Sequence, residues 1–181
     1  MSAADQPITL KQVQLRLGVP QHVLIHLCEK GVIEPDFADT SGRGKRRQFS
    51  RRNLFEFGVA LALRKFELPI STVGLVVRLL RSFERAVSRV LPGFGLLEVL
   101  LKRQVALELM LHEGDLLVLV ASGAGFKRPL LLGARIGHAL RGAAASPRVV
   151  KLEELPARFE ARLQVDLSEI ARSTLESRLS E

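Results

Sequence analysis

Residues 43–52 read RGKRRQFSRR, six cations in ten positions with no acid among them. Arg43, Lys45, Arg46, Arg47, Arg51 and Arg52 can together do one kind of chemistry, the neutralisation of a polyanion. Guanidinium groups present planar forks of donors that match phosphate oxygens. Each phosphate neutralised on a nucleic acid releases condensed counterions. The charge is also unevenly placed along the chain. Residues 1–90 hold 15 Lys/Arg against 8 Asp/Glu, a net of +7, whereas residues 91–181 hold 12 against 11, a net of +1. A concentrated field of one sign raises the local concentration of nucleic acid. A solvated basic loop carries the same signature, so the charge run alone selects no function.

Other chemistry is scarce. A single cysteine, Cys28, excludes an internal disulfide framework and a cysteine-only zinc site, and it reads as a small core residue. His112 and His138 stand alone, without ligand spacing to a partner. Glu113-Gly114-Asp115 marks a turn, because a calcium loop needs more acids at wider spacing. Gly123-Ala124-Gly125 also reads as a turn. The chain has no serine elbow, no Walker phosphate loop and no His-Glu-x-x-His. We therefore expect no catalytic set, no metal and no cofactor. At 181 residues, 47% hydrophobic and 25% charged, the chain suits one domain or two small ones. Its opening, MSAADQPITL, has neither the basic n-region nor the apolar h-region of a signal peptide. No apolar run approaches the roughly 18 residues of a spanning helix. A cytoplasmic protein without membrane contact is expected.

The elements that must position the cations follow from local signals. Thr9 and Gln12 form a capping-box pattern that opens a short helix through about Leu17, stopped by Gly18. Pro20 suits the first turn of a second helix, with Val23, Leu24 and Leu27 as its buried stripe and Gly31 as its end. Two short helices so closely spaced match a helix-turn-helix, although any αα-hairpin shares that spacing. Val32-Ile33 and Gln48-Phe49 read as the strands of a small hairpin whose basic tip bends at Gly42 and Gly44. Ser50 caps a helix over about 51–66, with Leu54, Phe57 and Leu61 inward. Residues 71–91 form the clearest amphipathic helix, and Pro92-Gly93 marks a domain boundary. Beyond it we expect a helix at 95–103 and a hairpin around His112–Asp115, from the period-two pattern of Val105, Leu107, Leu109 and Leu111. Strands at Pro129–Leu132 and Arg148–Leu152 and an amphipathic helix at 167–179 complete the reading. That last helix suits either pairing with a second copy or packing onto its own domain.

Two stretches together resemble the DNA-binding domain of the MerR family of bacterial transcription regulators. One is ITLKQVQLRLGVPQHVLIHLCEKGVIEP, with its Glu-Lys-Gly-apolar-apolar ending. The other is RRQFSRRNLFEFGVALALRKFELPISTVGLVVRLL, in which Arg47, Phe49, Ser50, Asn53 and Leu54 precede two helices broken before Ser71-Thr72. The similarity covers about residues 8–85 and is diffuse but consistent in order and spacing. It implies a winged helix-turn-helix that binds duplex DNA as a dimer, with the second helix in the major groove and the wing along the backbone. Ile25-His26-Leu27 stands where the family has Arg-Tyr-Tyr, so the phosphate grip leans on the wing arginines and His26 stands for an aromatic contact.

The expected fold is therefore α+β. Residues 1–91 form a MerR-like winged helix-turn-helix of four helices plus a wing, and residues 92–181 a small α+β domain for dimerisation, sensing or partner binding. Arg43, Lys45, Arg46 and Arg47 would contact phosphates, as would Arg51 and Arg52 at a helix N-terminus and Lys11 more weakly. Gln21 and His22 would meet base edges, and His26 would make the DNA contact of the family's aromatic residue. The expected function is a dimeric, sequence-specific regulator in the nucleoid, with RNA polymerase or another protein a possible partner of residues 92–181. The alternative is an architectural or adaptor protein that recruits a partner to DNA through its second domain.

Overall fold

A computed structural model describes residues 6–37, 47–90, 92–102, 106–112, 116–122, 130–135, 148–149 and 161–176. Their class is mixed α+β. In chain order the elements are β1 (Ile8–Thr9), α1 (Leu10–Leu17), α2 (Gln21–Glu29), β2 (Gln48–Phe49), α3 (Arg51–Arg64), α4 (Ile70–Val90), α5 (Leu96–Leu101), β3 (Ala106–His112), β4 (Leu116–Ser122), β5 (Leu130–Arg135), β6 (Arg148–Val149), β7 (Ala161–Asp166) and α6 (Leu167–Leu175). No described helix is long and apolar enough to cross a membrane.

The chain divides into two compact units. One joins Met1–Val77 to Ile170–Glu181, and the other is Arg78–Glu169. The boundary expected at Pro92-Gly93 is thus not where the units part. The division falls inside α4, and the last helix belongs to the first unit from Ile170 onward. Gly58 in α3 explains that placement. A Cβ built on it would lie 2.6 Å from Thr174 Cγ2 and 2.9 Å from Ile170 Cγ2. A mid-helix glycine costs roughly 1 kcal/mol of helix propensity, and here it lets α6 come close to α3. The last helix thus packs not on its own expected domain, 92–181, but on α3 of the first unit.

In the first unit, α1 starts at a reciprocal capping box. The Thr9 hydroxyl accepts from the Gln12 N–H, and the Gln12 side chain accepts from the Thr9 N–H. The helix ends at Gly18 with φ 63°, a left-handed turn that costs glycine little. Val13, Leu24 and Leu27 are buried and hold α1 and α2 on the core. The strand partners differ from expectation. β2 pairs antiparallel with β1, Ile8 opposite Phe49 and Thr9 opposite Gln48, and a single bridge joins Phe37 to Gln48. Val32 and Ile33 are instead buried in the turn after α2, where both N–H groups reach the Leu27 carbonyl. Their apolar character reflects burial and not strand pairing.

In the second unit a five-stranded antiparallel sheet runs in the order β6-β5-β4-β3-β7. The hairpin expected over 105–123 is observed as β3 and β4, with Ala106 opposite Ser122 and His112 opposite Leu116. β7 is not among the expected strands. It pairs with β3, and a register shift at Leu111/His112 marks a bulge. Asp166 then caps α6, its Oδ1 accepting from Ser168 N–H at 2.8 Å and Glu169 N–H at 3.0 Å.

Candidate functional site

The candidate residues fall in two groups within the first unit. The first group lies on α2. Gln21, His22 and His26 are exposed, and His22 and His26, four apart, share one face of the helix. Leu24 and Leu27 on the opposite face are fully buried, so the polar side chains are directed outward by hydrocarbon burial behind them. Pro20 precedes α2 and gives no side-chain cap, which leaves the first N–H groups of α2 without one. Lys11 is exposed on the first turn of α1.

The second group lies around β2 and the start of α3. Arg51, the first residue of α3, is exposed, whereas Arg47 and Arg52 are half-buried. Arg43, Lys45 and Arg46 lie outside the described residues, as does the expected tip at Gly42 and Gly44. The described residues do define how the two ends of that segment are held. Asn53 is fully buried (0% exposed) on the third position of α3. Its Oδ1 accepts from the N–H of Asp36 at 2.8 Å and the N–H of Ser50 at 3.2 Å. Its Nδ2 donates to the Glu34 carbonyl at 2.9 Å and to Glu56 Oε2 at 3.0 Å. All four hydrogen-bonding positions of one carboxamide are filled. The partners also fix its orientation, because two N–H donors face the oxygen and two acceptors face the nitrogen.

This carboxamide joins the chain before the segment that holds Arg43, Lys45, Arg46 and Arg47, at 34–36, to the chain after it, at Ser50. The Ser50 hydroxyl closes the same bracket by donating to Asp36 Oδ2 and accepting from the Asn53 N–H. Phe49, beside Ser50, meets Phe57 of α3 edge to face, with centroids 5.3 Å apart, and both rings are buried. The ends of the basic segment are therefore pinned to one helix by directional bonds and by an aromatic pair.

The sequence reading did not identify Glu56, whose carboxylate is buried (2% exposed) one turn beyond Asn53. An acid on a helix is ordinarily assigned to solvent, and nothing local distinguishes this one. α3 is in fact buried on more faces than the expected stripe of Leu54, Phe57 and Leu61. Phe55, Glu56, Val59, Ala60 and Leu63 are buried too, since α3 meets β2 through Phe57 and α6 at Gly58. Cys28 is half-buried on α2. Among the described residues no three His, Cys, Asp or Glu side chains gather as metal ligands. The His112 side chain and the whole of His138 lie outside the described set. Comparison of the chain with protein-family models and with curated proteins finds no match.

Proposed function

We propose that the chain is a MerR-type, sequence-specific regulator that binds duplex DNA through a winged helix-turn-helix. On this reading α1 and α2 are the helix-turn-helix, α2 enters the major groove, Gln21 and His22 meet base edges, and His26 stands for the family's aromatic contact. The segment between Phe37 and Arg47 is the wing, and its cations lie along the backbone with Arg47, Arg51, Arg52 and Lys11. One observation carries the reading: the buried Asn53 joins Glu34 and Asp36 to Ser50, on the two sides of the segment that holds Arg43, Lys45, Arg46 and Arg47. A merely solvated basic loop gains nothing from such a bracket, whereas a loop that must present cations in register does. The second unit, built on an antiparallel sheet, supplies dimerisation or a protein contact.

Selection of bound duplexes from a random pool tests the reading. A recovered consensus positioned between promoter elements supports a regulator, and scattered sites without a shared sequence favour the adaptor alternative. Replacing Arg46 and Arg47 with Ala is expected to weaken binding on every sequence and to lower the salt slope by about one unit for each phosphate that the variant no longer neutralises. Changing Gln21 or His22 is expected to alter sequence preference and to leave the slope alone. A protein indifferent to duplexes at low salt overturns the proposal.

A further inference from the structure

Arg16 sits in the last turn of α1, with its Nε shut off from solvent and without a hydrogen-bond partner. Buried N–H groups are partnered as a rule, and an orphaned one points to an ion or ligand that completes it. The penalty for leaving such a group unmade is larger when it is charged. Arg16 lines a cavity of about 280 Å³ in the first unit, together with Ile8, Gln12, Arg51 and Leu175. Among the described lining residues Arg16 and Arg51 are guanidinium cations and none is acidic. Gln12 adds a donor. Its Oε1 already accepts from the Thr9 N–H at 2.8 Å and the Thr9 hydroxyl at 2.9 Å, so its NH₂ is the part of the carboxamide left for a ligand. Ile8 and Leu175 line the cavity beside these polar groups.

We propose that this cavity is an oxyanion site that takes a phosphate group. Arg16 and Arg51 share its charge, and Gln12 donates a further hydrogen bond. Two cations, with no acid among the described lining residues, suit a doubly charged phosphate better than a single carboxylate, and the guanidinium fork matches its oxygens. The site depends on no assumption about DNA, because the phosphate arrives either on a small phosphorylated molecule or as part of a duplex backbone.

Calorimetric titration of the full chain with inorganic phosphate, against chloride at equal ionic strength, tests the site. Saturable binding is expected, weakened about tenfold or more in Arg51→Gln, a substitution at an exposed position that leaves the core untouched. Arg16→Met removes the orphaned N–H, so this variant is expected to melt no lower than the parent in phosphate-free buffer and to gain nothing from added phosphate. Duplex titration separates the two sources. Competition by phosphate, with a salt slope about one unit lower in Arg51→Gln, assigns the group to the backbone. An unchanged slope, or no duplex binding at all, assigns it to a small molecule, and the latter failure counts only against the DNA reading. Absence of saturable phosphate binding in the parent chain overturns the site, as do variants that respond to phosphate as the parent does.

Discussion

α2 and the start of α3 both present candidate contact residues, yet the chain seats them by opposite means. Behind Gln21, His22 and His26 lies hydrocarbon, with Leu24 and Leu27 buried against the core. Behind Arg47, Arg51 and Arg52 lies a polar bracket, Asn53 with Asp36, Ser50, Glu34 and Glu56. Apolar contact is non-directional, so a seat made of it accepts a change of shape if volume is kept. A carboxamide with all four positions filled accepts no change of chemistry, because each former partner is left buried and unsatisfied. The difference suggests a division of labour: α2 needs only to be held against the core, while the basic segment needs its two ends held at a fixed separation.

Volume-preserving substitutions expose the contrast most sharply. Asn53→Leu keeps the size of the side chain but orphans two N–H groups, a carbonyl and a bond to a buried carboxylate. It is expected to cost about 3 kcal/mol or more, whereas Leu24→Met is expected to cost less than about 1.5 kcal/mol. Urea unfolding measures both, and similar losses in the two variants would remove the distinction. Next in size is Gly58→Leu. Its Cβ meets Thr174 and Ile170 below any normal packing distance, so α6 must move off α3 at an expected cost of about 1–3 kcal/mol. Proteolysis within 167–176 is then expected to quicken. An unaltered melting temperature and cleavage rate would mean that α6 is not held there.

The caps give a smaller and finer test. Thr9→Ala removes one reciprocal box and is expected to cost about 1 kcal/mol. Ser50→Ala removes a similar box and also the bond to Asp36, so its cost is expected to exceed that of Thr9→Ala by about 0.5–1.5 kcal/mol. Equal costs would show that the Ser50–Asp36 bond adds nothing to the bracket.

The same contrast explains what the sequence made legible. Caps and helix stops are local, so Thr9 with Gln12, Gly18 and Ser50 declare themselves within four residues. The β3–β4 hairpin shows in its period-two pattern. β7 carries a comparable signal, since Ala161, Leu163 and Val165 alternate with Arg162, Gln164 and Asp166. It escapes notice because its partner, β3, lies far back in the chain, and an isolated six-residue run pairs with nothing nearby. β1 and β2, at two residues each, are too short to show any period, and only tertiary pairing defines them. Among the candidate contact residues, types and order are legible from charge and spacing. The bracket is not, since Asn53 and Glu56 look like the polar face of any amphipathic helix until Phe57 and Gly58 bring partners to both sides of α3. Arg16 is hidden for the same reason.

The smallest expected effect lies where the two styles of helix ending meet. Gly18, after α1, and Gly31, after α2, take φ values of 63° and 65°. After α3 the corresponding left-handed turn falls to Glu67, at φ 57°. A side chain in that region carries a backbone penalty of roughly 1–2 kcal/mol, while glycine there loses roughly 0.4–1 kcal/mol through its freer unfolded chain. The difference favours Glu67→Gly by about 0.5–1 kcal/mol. Gly18→Ala reverses the sign. Its new Cβ would meet nothing within 4 Å, so its expected cost of about 1 kcal/mol is purely conformational. Glu67→Ala, which keeps the Cβ, is expected to leave stability nearly unchanged. Thermal melts of the three variants settle the matter: if Glu67→Ala gains as much as Glu67→Gly, the charge of Glu67 and not its backbone sets the energy of this turn.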